Sequence, residues 1–229
     1  MEGTRTGLPL LAASARPRAG VLLAGCVVIV AVLGAVFARQ NTADRFDHAV
    51  DAPIITWFAG HQTLALWLAF PGTTIPAVAL TAALTLGCLL TGRRRGAVLA
   101  ILAVPVSAVI TDGLLKPLVH RTYIGQVVYP SGHTATIAAL AATATVLLLA
   151  PPRPEMARLL RVLILAVAYL VCVAVVIGVI AVRFHYFTDT VAGAAVGIGT
   201  VCGLALILDV VQPGSAVARW MAPVAKRAR

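Results

Sequence analysis

Two short stretches of the sequence combine residue types that can transfer a phosphoryl group. Ser131, Gly132 and His133 stand together where one apolar run begins, and His185 and Asp189 stand four positions apart just after another run ends. Histidine suits proton transfer near neutral pH because its unperturbed pKa is about 6.5. If the residues after His185 are helical, Asp189 lies one turn on, where its carboxylate can fix the imidazole tautomer and strengthen the other nitrogen as a nucleophile or base.

The first stretch predicts an anion site at the start of a helix. Ser131 is a favoured N-cap residue, and the amides of the first turn have no acceptor within the helix. These amides carry partial positive charge and attract anions. Gly132 leaves the backbone open to a ligand oxygen because it has no side chain. Three cations near the two stretches can complete a phosphate site: Lys116, Arg121 and Arg183.

The elements that must position these residues are membrane helices. The chain of 229 residues is 60% hydrophobic and 11% charged, whereas soluble domains carry about 25% charged residues. Its apolar runs approach the length of about 20 residues that spans a bilayer as a helix. We therefore predict an all-α polytopic membrane helix bundle. The predicted transmembrane helices are six: Gly20–Ala38, Thr73–Thr91, Ala97–Leu115, Ser131–Ala150, Leu159–Val182 and Thr190–Val210.

The segment between the first two spans is long and aromatic. Apolar residues recur near helical spacing from Phe46 to Phe58, interrupted by Pro53, which predicts an interfacial segment. The predicted organisation is a cytoplasmic tail over residues 1–19, a membrane domain over 20–211 and a basic cytoplasmic tail over 212–229. A signal peptide that is later cleaved is the alternative interpretation of the first span.

The basic residues predict the orientation. Of the 18 Lys and Arg residues, all but five lie on the side of the two termini. The five on the opposite side are Arg39, Arg45, Lys116, Arg121 and Arg183. The positive-inside rule then places both termini in the cytoplasm and the histidines at the extracytoplasmic face of the cell membrane. The net charge of +10 is therefore explained by topology and by the lipid bilayer as a partner, and we expect no nucleic-acid partner and no metal or other cofactor.

Topology also predicts that the two stretches meet. The fourth span leaves the outer face at Ser131, and the fifth returns to it at Val182. Two antiparallel helices of similar length bring the chain back to the face it left. His133 and His185 are therefore expected to be neighbours although they are 52 positions apart in the sequence.

Together, these motifs resemble the type 2 phosphatidic acid phosphatase superfamily of membrane lipid phosphate phosphatases. The motifs are Pro130-Ser131-Gly132-His133 and His185-x-x-x-Asp189, preceded by Lys116. The resemblance implies that His185, oriented by Asp189, attacks phosphorus to give a phosphohistidine that water then hydrolyses. It implies that His133 protonates the leaving oxygen and that Lys116, Ser131 and Gly132 bind phosphate oxygens.

The sequence departs from the family pattern at both arginine positions. Tyr123 and Ile124 stand where the first motif has Arg-Pro, and Gly178 and Val179 stand where the third motif has Ser-Arg. Arg121 and Arg183 are the nearest candidates to replace the missing phosphate-binding arginines.

The resemblance implies hydrolysis of a phosphomonoester or pyrophosphate on a membrane lipid, of the polyprenyl pyrophosphate, phosphatidic acid or phosphatidylglycerol phosphate type. The alternatives are a lipid-phosphate-binding protein with little or no turnover and a proton-coupled transporter. For Asp112 and Lys116, four residues apart, a plain ion pair at a helix end is the simpler interpretation. The oligomeric state is left open, a homo-oligomer included.

Overall fold

The computed structural model describes residues 8–151 and 156–211, and six helices there are long and apolar enough to cross a membrane. This confirms the predicted all-α fold class. Residues 1–7 and the predicted tail at 212–229 lie outside the described residues. The helices are α1 (Arg16–Phe37), α2 (Arg45–Phe58), α3 (Gln62–Ala69), α4 (Thr74–Leu90), α5 (Arg94–Ala108), α6 (Lys116–Val119), α7 (Gly132–Leu149), α8 (Arg158–Ala181) and α9 (Phe187–Val210).

The second span begins earlier than the sequence pattern indicates. Helix α3 continues into α4 through a 3-10 turn at Phe70–Gly72, so the apolar helical path runs over Gln62–Leu90. Pro71 and Gly72 interrupt the regular α-helical hydrogen bonding. Because these residues usually end a helix, the sequence pattern does not show that α3 and α4 are continuous. Pro53, in contrast, lies inside α2 and does not end it.

The third span changes its winding near the site. After α5 the chain forms a π-helical segment at Val109–Leu115 that contains Asp112 and leads into α6. The Thr111 hydroxyl donates a hydrogen bond to the carbonyl of Ser107 at 3.0 Å. This bond gives a side-chain partner to a carbonyl just before the π-helical segment. π-Helical segments occur frequently at functional sites.

A short hairpin that the sequence pattern did not predict follows α6. Strand β1 (Thr122–Tyr123) pairs antiparallel with β2 (Gln126–Val127). Ile124 and Gly125 form the turn with φ of 48° and 77°, the positive values that two-residue hairpin turns require. The hairpin carries the chain from α6 to the start of α7.

Helices α7 and α9 form the centre of the bundle. In each, 56% of the span is buried, compared with 28% or less in the other four spans. Two glycines of α9 allow this close approach: a Cβ atom on Gly193 would overlap the carbonyl of Ser131, and one on Gly197 would overlap that of Ala135. The contact fixes the start of α9 beside the start of α7.

The end of the bundle opposite the histidines has its own charged cluster. The buried carboxylate of Asp209 accepts hydrogen bonds from the amides of Leu10 and Leu11 at 2.7 and 3.0 Å. Arg16 and Arg95 lie 3.5 and 3.9 Å from it. These contacts hold the N-terminal segment against the end of α9.

Candidate active site

The structure brings the two predicted histidines together. His133 lies in the first turn of α7 and His185 lies two residues before α9, and their ring centroids are 6.2 Å apart. Gly72, from the 3-10 turn, packs so closely that a Cβ there would lie 2.9 Å from the Cβ of His133. The antiparallel path of α7 and α8 therefore produces the predicted pair, and α9 and the 3-10 turn hold it.

Ser131 caps α7 as predicted, but its side chain points into the protein. Its hydroxyl oxygen accepts hydrogen bonds from the Thr134 amide at 3.4 Å and the Thr134 hydroxyl at 3.1 Å. The residue is fully buried, and its amide donates to the carbonyl of Asp189 at 2.9 Å. Ser131 does not line the cavity described next, so its contact with phosphate stays a prediction. Gly132, in contrast, lines the cavity described next.

A cavity of about 1130 Å³ begins at the histidines and extends between α4, α5 and α7. At one end it is polar, where ionisable side chains line it. At the other end it is apolar and is bordered by residues such as Ala77, Leu86 and Val104. The ionisable lining residues of the polar end are Asp112, Lys116, His133, Arg183 and His185.

Lys116 reaches this polar end together with Asp112. Its ammonium nitrogen lies 2.7 Å from the Asp112 carboxylate, and the Lys and Asp side chains are 27% and 55% exposed. The predicted ion pair is therefore present, and it lines the cavity instead of merely ending a helix.

Arg183 also lines the cavity, and local backbone structure places it there. The Arg183 amide donates to the carbonyl of Ile180 and the Phe184 amide to that of Val179, each at 2.9 Å. These two bonds form a Schellman motif at the end of α8. Arg183 occupies the left-handed position of that motif with φ of 60°, where glycine is usual. A non-glycine residue there is uncommon and worth a functional explanation.

His185 is a neutral imidazole near pH 7. It is 7% exposed, and its Nδ1 has no hydrogen-bond partner within the described part of the chain. Burial lowers the pKa of His185 to about 3, and the neighbouring His133 and Lys116 act in the same direction. A neutral ring keeps a lone pair available for nucleophilic attack.

Asp189 does not contact His185 as the sequence spacing predicted. One carboxylate oxygen accepts from the Arg121 guanidinium at 2.7 Å, and the other accepts from the Tyr186 amide at 3.0 Å. The reason is that α9 begins at Phe187. His185 therefore precedes the helix, and the four-residue spacing does not place both side chains on one helical face. Asp189 instead caps the first turn of α9.

Arg121 is likewise absent from the phosphate site where it was expected. It is fully buried and donates to Asp47, Thr188 and Asp189. Its guanidinium lies between the rings of Phe37 and Tyr186, 4.1 and 4.2 Å from their centroids. The guanidinium is paired with two carboxylates, and both of its faces are covered by aromatic rings. This position therefore does not support a role for Arg121 in binding phosphate.

Asp47 is a site-supporting residue that sequence reasoning missed. Besides its ion pair with Arg121, Asp47 accepts hydrogen bonds from the Thr188 amide at 2.9 Å and the Thr188 hydroxyl at 3.0 Å. One turn on, Asp51 accepts the Phe187 amide at 3.2 Å. Burial and the nearby Asp47 raise the pKa of Asp51 to about 7. The sequence contained a signal for this role, because the two aspartates, four positions apart, share a face of a mainly apolar helix.

No metal site is evident in residues 8–151 and 156–211, where no group of three or more His, Cys, Asp or Glu side chains is placed to hold an ion. The polar end of the cavity instead offers cations and the first-turn amides of α7 to an anion.

A comparison with protein families bears on the interpretation of these motifs. The family model described as the PAP2 superfamily matches residues 114–212. This match bears out the predicted superfamily over that part of the chain. The PAP2 region contains all eight predicted site residues and indicates phosphatase activity on phosphate esters. Comparisons with curated proteins and with solved structures gave no significant match.

Within the PAP2 region, the two motif arginines are replaced in different ways. Val179 is completely buried in an apolar cluster with Ala69 and Val175, so its position contributes no charge. Arg121 supplies a buried structural cation, as described above. Lys116 and Arg183 are therefore the lysine and the arginine that line the cavity.

Proposed function

We propose that this protein hydrolyses a phosphate ester on a membrane lipid at the extracytoplasmic face, through a phosphohistidine intermediate and without a metal ion. The observation that carries the proposal is the position of the histidine pair. His133 and His185 stand at the polar end of a cavity whose remaining length is apolar. Such a cavity suits a molecule with a charged phosphate and a hydrocarbon chain.

The proposed chemistry proceeds in two steps. In the first, a ring nitrogen of neutral His185 attacks phosphorus, an N–P bond forms and the bond from phosphorus to the lipid oxygen breaks. His133, which carries a proton on both ring nitrogens before this step, donates one of them to that leaving oxygen. In the second, water attacks phosphorus, its proton passes to His133, and the N–P bond breaks to release phosphate and restore both histidines.

The protein stabilises the transferring group by charge and backbone dipoles. Lys116 and Arg183 approach the phosphoryl oxygens as cations, and the Gly132 and His133 amides are first-turn donors that have no acceptor within α7. Arginine can bind two phosphate oxygens at once. Preorganised donors of this kind act where charge develops in the transition state.

The apolar part of the cavity supports a lipid substrate. It is lined along α4 from Thr74 to Leu89, a distance of about 22 Å at the helical rise per residue. That length exceeds the depth of one leaflet, which is about 15 Å or half of the hydrocarbon core. Val78, Leu86 and Leu89 on this wall are exposed on the surface of the bundle, so a hydrocarbon chain can enter sideways from the membrane.

The test is phosphate release from a panel of lipid phosphates in detergent with EDTA present. The expected result is release by the wild type and loss of at least about a thousandfold in His185→Ala. His48→Ala is the matched control, because His48 is exposed and does not line the cavity. Full activity of His185→Ala, or equal loss in both variants, would contradict the proposal.

A binding protein with little turnover is the second candidate, and a specific observation favours it. Val179 and the buried Arg121 leave the cavity without the two motif arginines. Loss of one donor to a transition state costs about 2.7–4 kcal/mol. Saturable binding of a lipid phosphate by a folded sample that releases no phosphate would identify this function. Proton-coupled transport is less well supported, because the histidine pair lies at one end of the bundle and not along it.

A further inference from the structure

The polar end of the cavity contains an acidic side chain that the proposed chemistry does not use. Asp112 lies in the π-helical segment, lines the cavity and is 55% exposed. Its carboxylate lies 2.7 Å from the Lys116 ammonium, a cation that the phosphoryl group needs. A carboxylate beside a phosphate is unfavourable unless it serves a purpose, because like charges repel at this range.

The position of Asp112 relative to α7 shows which part of a substrate it faces. A Cβ atom placed on Gly132 would lie 3.9 Å from the Asp112 carboxylate oxygen. The carboxylate therefore lies over the glycine that opens the first turn of α7, next to His133. In the proposed reaction His133 protonates the leaving oxygen, so Asp112 lies on the side of the leaving group.

The charge of the leaving group differs between the two substrate types considered above. A phosphomonoester releases an alcohol, which is uncharged once His133 has supplied its proton. A diphosphate releases a lipid monophosphate, which keeps negative charge beside Asp112. Once His133 has given its proton to the leaving oxygen, the charged side chains that line the cavity are two cations, Lys116 and Arg183, and one anion, Asp112. Such a site has little positive charge left for a second phosphate.

We infer that Asp112 makes the protein selective for lipid phosphomonoesters over lipid diphosphates, by placing a carboxylate beside the leaving group. The inference rests on the proposed function and deepens it. Specificity often comes from such a repulsive element as well as from attractive contacts. Lys116 remains available to the transferring phosphoryl group while Asp112 disfavours charge on the leaving side.

The test uses two substrates that differ only in the second phosphate, farnesyl monophosphate and farnesyl diphosphate, with EDTA present in detergent. The ratio of kcat/KM for the two is measured in the wild type, Asp112→Asn and Asp112→Ser. Asparagine preserves the shape of the side chain, and serine provides a second neutral residue in case asparagine disturbs the fold. We expect the wild type to prefer the monophosphate and both variants to shift the ratio toward the diphosphate by about tenfold, equivalent to about 1.4 kcal/mol.

The outcomes separate this inference from the proposed function. Hydrolysis of neither substrate, nor of any lipid phosphate of the panel, by a folded wild type would refute the function itself. Hydrolysis with an unchanged ratio in both variants, or a wild-type preference for the diphosphate, would overturn only the role of Asp112. Folded variants that hydrolyse neither substrate would also overturn it, because they would show that Asp112 takes part in the chemistry.

Discussion

Replacing Arg121 with methionine tests whether this residue supports the fold or binds phosphate. The guanidinium bonds the buried carboxylates of Asp47 and Asp189 and packs between the rings of Phe37 and Tyr186. Methionine has a similar length and can fill the space, but it leaves both carboxylates without their cation. Removing one partner of a buried ion pair costs about 3–5 kcal/mol. In a domain of this size that corresponds to a fall in melting temperature of about 6–20 °C.

Arg183→Gly is the matched control for that variant. Arg183 lines the cavity and holds a left-handed conformation with φ of 60°, which costs a non-glycine residue about 1–2 kcal/mol. Glycine should therefore leave the melting temperature unchanged or raise it. The same change removes a cation from the phosphate site, and the loss of a charged hydrogen bond of about 1.5–3 kcal/mol predicts a fall in kcat/KM of about tenfold or more.

The two variants are compared by thermal unfolding in detergent and by phosphate release below the melting temperature of each. We expect Arg121→Met to lose stability with little change in KM, and Arg183→Gly to lose activity with its stability intact. A stable Arg121→Met protein with a raised KM would refute the reasoning, because it would show that Arg121 reaches the substrate.

Three further predictions concern pH and packing. Because the folded pKa of His185 is about 3, its ring resonance in NMR should not titrate between pH 5 and 8. The fold should also lose stability as pH falls below about 6.5, because the imidazole takes up a proton there only in the unfolded chain. Titration of the ring near pH 6.5 would contradict this prediction. The pKa of Asp51 is raised to about 7, so its ionisation destabilises the fold as pH rises from about 4 to 7, and Asp51→Asn should raise the melting temperature more at pH 8 than at pH 5. An equal effect at both values would exclude that cause. Gly197→Ala should cost about 1–3 kcal/mol of stability because its Cβ would overlap α7. Gly20→Ala is the control and should be neutral, because Gly20 has open space around it. Equal melting temperatures of the two variants would contradict the close packing.

The fold was predictable from the sequence wherever apolar length alone decides the structure. A run of about 20 apolar residues needs no tertiary information to be identified as a span, and six were identified, although the second begins at Gln62 and not at Thr73. The exceptions depend on local backbone effects that composition does not show. Helix α3 joins α4 through a 3-10 turn, the third span widens into a π-helix before Lys116, and a two-stranded hairpin precedes α7.

The site was predictable only as far as topology determines it. Antiparallel spans bring His133 and His185 to one end of the bundle whatever the side-chain details, and the structure places them together. The partners of Arg121 depend instead on how α2 packs against α9, since Asp47 and Asp189 lie 74 and 68 residues away in sequence. The role of Asp189 depended on where α9 begins, a boundary that sequence patterns determine poorly.

The central claim is that His185 accepts the phosphoryl group, and trapping of the intermediate tests it most directly. The protein is incubated with a lipid phosphate that carries a radiolabelled phosphoryl group and is quenched in alkaline denaturant, which preserves phosphohistidine. We predict label on the peptide that contains His185 in the wild type, no label in His185→Gln, and retained label in His48→Ala. Phosphate release by a wild type that never carries label, or label that persists in His185→Gln, would contradict the account.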